Sequence, residues 1–124
     1  MGYCMTQRDG VFHLPQCHFK AAVGALMKLP ESICGRVTTE QAESLPRLLL
    51  ALGWEVEQEA QTGDIVCILF AGEKAHEDYA LFKALAPFVR KDSFIAMEGE
   101  DGCLWRWWFN GRTVREQSGL IIYI

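Results

Sequence analysis

Residues 93–109 read SFIAMEGEDGCLWRWWF, and the fold follows from how this stretch divides. Two β-prone runs flank Gly99-Glu100-Asp101-Gly102, a Gly-rich acidic tetrad that signals a hairpin. Alternation along the second run sets Cys103, Trp105, Trp107 and Phe109 on one face and Leu104, Arg106 and Trp108 on the other. Both faces therefore carry a large ring. One can serve as core; the other needs a helix, a partner or a ligand over it.

Downstream, Asn110-Gly111 is a two-residue turn signal that leads to a last strand from Arg112, with Gly119 as a candidate bulge before the apolar run 120–124. Upstream, residues 65–71 (IVCILFA) are apolar throughout, which predicts a central strand covered on both sides. Before them Trp54, Val56 and Gln58 alternate with Glu55, Glu57 and Glu59, a strand with one face to water. After Gly72, the spacing of Leu81, Phe82, Leu85, Phe88 and Val89 predicts a helix from about His76. Glu77 and Asp78 sit in its first turn, where carboxylates suit the dipole, and Pro87 limits its end.

Near the N-terminus, residues 3–7 and 11–14 are β-prone around Arg8-Asp9-Gly10, which predicts a second hairpin. Pro15 then opens a helix carrying Phe19, Val23, Leu26 and Met27, and Pro30 ends it. Thr38 and Gln41 have capping-box spacing, and Leu45, Leu48, Leu49 and Leu52 form a stripe that stops at Gly53. Pro46 interrupts that stripe, so a kink or a short turn is expected before a helix from about residue 45. The resulting order, ββα-α-ββα-βββ, predicts a single α+β domain over residues 1–124. It would have two layers, with helices packed on one face of an antiparallel sheet.

Half of the 124 residues are hydrophobic and 23% are charged, the balance of an ordinary globule rather than a disordered chain. The five cysteines, Cys4, Cys17, Cys34, Cys67 and Cys103, are scattered and never in CxxC spacing. That pattern favours reduced thiols in a cytoplasmic protein over a disulfide framework or a zinc ribbon. MGYCMTQRDG lacks a basic segment followed by an apolar one, so no signal peptide is expected. No apolar run approaches the ~20 residues that cross a bilayer, so no membrane partner is expected either. The net charge of −4 is uneven: residues 54–101 sum to −7, whereas residues 102–124 sum to +2. The acidic middle argues against nucleic acid and in favour of basic protein surfaces.

Gly72-Glu73-Lys74, LFKALAPFV at 81–89, SFIAMEGEDG at 93–102 and LWRWWF at 104–109 together resemble a family of small phage and prophage proteins of gut Firmicutes and related bacteria. The resemblance covers the C-terminal half well and the MGYCMTQRD opening loosely. It implies origin on a mobile element, where small acidic globules often inhibit host defence systems, as anti-CRISPR proteins do. It supplies no activity and no site residues.

Cys17-His18 with His13 offers a nucleophile and a base, but in a helix neighbours 17 and 18 point about 100° apart, and no third orienting group is evident. Cys4, His13, Cys17 and His18 could gather only if the first hairpin forms, and their spacing matches no structural zinc pattern. Glu98, Glu100 and Asp101 lack the intervals of a calcium loop. Neither a metal nor another cofactor is therefore expected. Trp105, Trp107 and Trp108 with Arg106, Arg112 and Arg115 could stack bases, but the acidic segment 98–101 counts against it. No phosphate loop or nucleophile elbow is present. The reading that remains is a non-enzymatic module that binds a bacterial host protein through Glu55, Glu57 and Glu59 or through Arg106 and Trp108. The alternative is a binder of a small, nucleotide-like ligand. Pairing of two copies through the terminal strand stays open.

Overall fold

Capping and turn residues divide the chain much as the sequence indicates. The computed structural model describes residues 2–35 and 37–120. In chain order these form strand β1 (Met5–Val11), helices α1 (Phe19–Leu26), α2 (Glu31–Cys34) and α3 (Leu45–Ala51), and strands β2 (Trp54–Gln58) and β3 (Ile65–Phe70). Helix α4 (Asp78–Leu85) and strands β4 (Phe94–Gly99), β5 (Leu104–Phe109) and β6 (Val114–Gly119) follow. The fold is α+β. One antiparallel sheet runs β1-β4-β5-β6 and a second pairs β2 with β3.

The two sheets meet along β1 and β3. Leu14 and Ile65 exchange both backbone hydrogen bonds at 3.0 Å. At the other end Met5 N–H donates to Glu73 O (3.0 Å) and Ala75 N–H to Tyr3 O (2.7 Å). Between these points the register of β1 on β4 slips, with Gln7 opposite Met97 but Asp9 opposite Ala96, so Arg8 is an extra, unpaired residue. At this bulge a side chain replaces the ladder. Gln7 Nε2 donates to Ile68 O (2.9 Å), and Gln7 Oε1 accepts from Phe70 N–H (2.7 Å).

Helices α1, α3 and α4 bury Ala22, Leu26, Leu45, Leu48, Leu49, Leu81, Phe82 and Leu85 against one side of this layer. At the centre, the Trp54 ring lies edge-on to Phe82 (5.0 Å) and to Trp107 (6.1 Å), and Phe82 packs on Trp107 (5.1 Å). Asp78 is buried with them, accepting from Trp54 Nε1 (3.0 Å) and from His76 N–H (2.8 Å). In a flat layer β2 and β5 would stand four strand spacings, about 19 Å, apart. Contact between Trp54 and Trp107 therefore requires the layer to curl around the helices.

The hairpin at 93–109 forms as expected, with Phe94 opposite Trp108 and Glu98 opposite Leu104. Ser44 caps α3 by accepting from Arg47 N–H, with Pro46 in the first turn. Gly53 follows the helix at φ 98°. The Thr38–Gln41 box also forms, its two reciprocal hydrogen bonds at 2.8 and 3.2 Å, but it opens only the 3-10 turn Gln41–Glu43.

Other expectations are corrected. Residues 3–14 are not a hairpin: β1 runs straight through Arg8-Asp9-Gly10, and the bulge absorbs the residue that a turn would have used. The repeated ββα unit disappears with it. Strand β3 is covered on one side only: a register shift against β2 leaves Val66 as an extra residue, so Val66 and Leu69, 42% and 43% exposed, both face out while Ile65 and Ile68 are buried. Its apolar run reflects a strand whose outward residues stay in water, not a second covering layer. The helix after Pro15 begins with a 3-10 turn at Gln16–His18, and the short helix α2 follows directly after Pro30. The two-residue turn after β5 is centred on Gly111 and Arg112, one position later than expected, with Asn110 facing Thr113, and β6 runs from Val114 to Gly119 with no register shift. The expected apolar edge at 121–124 lies outside the described residues.

Candidate functional site

The buried residues of β4 and β5 alternate with half-buried or exposed ones, and no described helix covers the outward side of β1-β4-β5-β6. Trp105 packs against the core cluster, whereas Phe94, Leu104 and Trp108 are not part of it. Phe94 and Trp108 stand directly opposed on the two central strands, and both are half-buried. The Arg106 guanidinium lies over the Phe94 ring, 6.0 Å from its centroid, and Arg106 Nε donates to Gln117 Oε1 (2.6 Å). Arg115 faces Trp108 from β6.

The charges on this face are unequally matched. Arg8, thrown outward by the bulge, pairs with Glu98. Asp9 accepts from the N–H of Gly10. Neither Arg106 nor Arg115 has a carboxylate partner among the described residues. A depression of about 750 Å³ opens here, lined by Arg8, Ala96, Leu104, Arg106 and Gln117 among others. It combines apolar floor, guanidinium charge and an amide, which suits docking and orientation rather than bond making.

Glu55 and Glu57 are exposed on β2, the strand farthest from β5 and β6 across the layer. The curl turns them away from Arg106 and Trp108, so the structure does not bring the two halves of the expected partner-binding set together. Glu59 lies past the end of β2 and fastens the turn to β3, its carboxylate accepting from Gln61 N–H (3.2 Å) and Thr62 N–H (2.7 Å). The Thr62 side chain and these N–H groups hold that carboxyl below its usual range.

The other sequence candidates are dispersed. With β1 a single strand, Cys4 and His13 lie nine residues, about 30 Å, apart, which undoes the Cys4–His13–Cys17–His18 grouping. His13 Nε2 lies 3.2 Å from Asp64 Oδ2, and the Gln16 N–H, more than His13, holds the Asp64 carboxyl low. Cys17 is exposed, and the His18 ring packs near Phe88 at 5.9 Å. At the hairpin tip, Asp101 accepts from Tyr3 Oη and from Cys103 N–H (3.1 Å), and Glu100 from Cys4 N–H (3.0 Å). These carboxylates thus fasten the N-terminal segment. Among the described residues no group of three or more His, Cys, Asp or Glu side chains is placed to hold a metal ion. None of the described helices is long and apolar enough to cross a membrane.

Phe94, Arg8 and Gln117 carry no functional signal in the sequence, and Arg115 enters there only with Arg112 as a base-stacking candidate. The hairpin register around 99–102 was enough to place Phe94 beside Trp108. Arg8 depended on a bulge that has no local signature. No family model, curated protein or solved structure matches this chain.

Proposed function

We propose that this chain is a non-enzymatic protein-binding module of phage or mobile-element origin. It would act in the bacterial cytoplasm as an inhibitor that docks onto a host defence protein. The observation that carries this reading is the sheet face that no described helix covers, where Trp108 and Phe94 stay outside the core beside guanidinium groups with no carboxylate partner among the described residues. Trp and Arg are the side chains most often found to dominate interface energies, and an open sheet face suits a macromolecule. Glu55 and Glu57 form a second, separate patch on the other flank.

Purified components provide the test. A host protein crosslinked to the wild type should lose affinity at least about tenfold with Trp108→Ala or Arg106→Ala, and its binding should weaken with salt. Undiminished binding by folded Trp108→Ala protein would overturn this placement. The depression of about 750 Å³ falls within the usual size of ligand sites and favours one second reading, a nucleotide-like small molecule beside Arg106. Native mass spectrometry of protein taken from cells separates the two, since a retained small ligand would support the second reading.

A further inference from the structure

Strand β6 ends the four-stranded sheet, and no other described strand pairs with its outer side. Asn110 N–H donates to Thr113 O at 3.0 Å, which sets the phase of the β5–β6 ladder. Alternation of hydrogen-bonded pairs then directs the N–H and C=O groups of residues 115, 117 and 119 toward β5 and those of Val114, Glu116 and Ser118 outward. Natural sheets blunt such an edge with bulges, prolines or lysines. Here the register is regular and the sequence VREQSG contains no proline or lysine.

The two sides of this edge differ in chemistry. One is the depression described above, with Arg106, Gln117 and, along β6, Arg115. The other carries Trp105, Glu116 and Ser118, and a second depression, of about 660 Å³, runs round the edge, since Leu104, Trp105, Ser118, Gly119 and Leu120 line both. Leu120 is 73% exposed beside it. Trp105 Nε1 is shielded from solvent and has no acceptor among the described residues. An unpaired edge with open depressions along it is what an added strand needs, because its backbone supplies the affinity and its alternate side chains face the two sides.

We infer that β6 accepts an extended segment of a partner protein as an additional strand, one that alternates acidic residues facing Arg106 and Arg115 with apolar residues facing Trp105 and Leu120. This rests on the protein-binding reading above. A second copy of the chain fits less well. Residues opposed across two antiparallel β6 strands share a face, so Arg115 would meet Thr113, Arg115, Gln117 or Gly119 of the copy and never Glu116. Its charge would remain unmatched.

Ser118→Pro tests the mode. It removes an outward N–H without touching the ladder to β5, and Ser118→Ala controls for the lost hydroxyl. A short capped peptide of alternating glutamate and valine should bind the wild type and Ser118→Ala, and slow hydrogen exchange at Glu116 and Ser118. It should bind Ser118→Pro about tenfold less tightly, and a lysine-for-glutamate peptide should show a similar loss. Equal binding of the two peptides, or no effect of proline in folded protein, would overturn the inference. So would concentration-dependent dimerisation that Ser118→Pro abolishes, which would assign the edge to a second copy. A host protein that is lost with Trp108→Ala but held by Ser118→Pro would leave the module reading standing while removing strand addition.

Discussion

Gln7 does with one side chain what a strand does with its backbone, offering β3 a donor and an acceptor at the point where β1 swings away. A glutamine in a β-prone run reads as an outward polar residue, so nothing local marks it as a bridge. Gln7→Leu strands the Ile68 carbonyl and the Phe70 N–H, and should lower unfolding free energy by about 2–4 kcal/mol in urea titrations. Gln7→Glu keeps the acceptor and should cost less. Tyr3 reports on a second bridge. Its hydrogen bond to Asp101, more than any other cause, pushes the phenol up to about 12, while the same contact holds the Asp101 carboxyl below its ordinary 3.8. A raised phenol value means that the stability it contributes is complete below pH about 10 and is lost as pH climbs through about 12. Asp101 contributes above its ordinary value and stops doing so as pH falls through the depressed one. Asp101→Asn should therefore return the Tyr3 titration, followed by phenolate absorbance, toward 10.

Elements built from neighbouring residues were legible. The 93–109 hairpin, the Ser44-Pro46 start of α3 and the Gly53 stop each depend on residues within a few positions of one another, and each forms. Elements decided at long range were not. Asp9-Gly10 carries a turn signal, yet pairing with residues 94–99 on one side and 65–75 on the other keeps the chain straight. The candidate site divides the same way: Arg106 and Trp108 follow from alternation, whereas Arg8 joins them only through the bulge. Two glycines give predictions of opposite sign. Gly111 sits at φ 96° in the turn before β6, so Gly111→Ala should cost about 1 kcal/mol. Gly24 lies within α1 with open space where a Cβ would stand, so Gly24→Ala should add about 0.5–1 kcal/mol of stability. Thermal melts of both variants would check the pair.

Across the whole molecule, charge and curvature cooperate. The curl that brings Trp54 to Trp107 places an acidic flank on β2 and an arginine-bearing face on β5 and β6 in different directions, so one binding event need not engage both. Glu55→Gln with Glu57→Gln should change folding stability by less than about 0.5 kcal/mol. The same pair should leave affinity at the Trp108 face within about twofold, checked by titration calorimetry with the partner. The seam between the sheets has a further consequence for biosynthesis. Strand β1 occupies the middle of the finished layer, held by segments that are synthesised dozens of residues after it. Nascent β1 must therefore wait, unpaired, until β3 and then β4 have been made. Its short length and its interruption by Arg8-Asp9-Gly10 limit how readily it can aggregate in that interval.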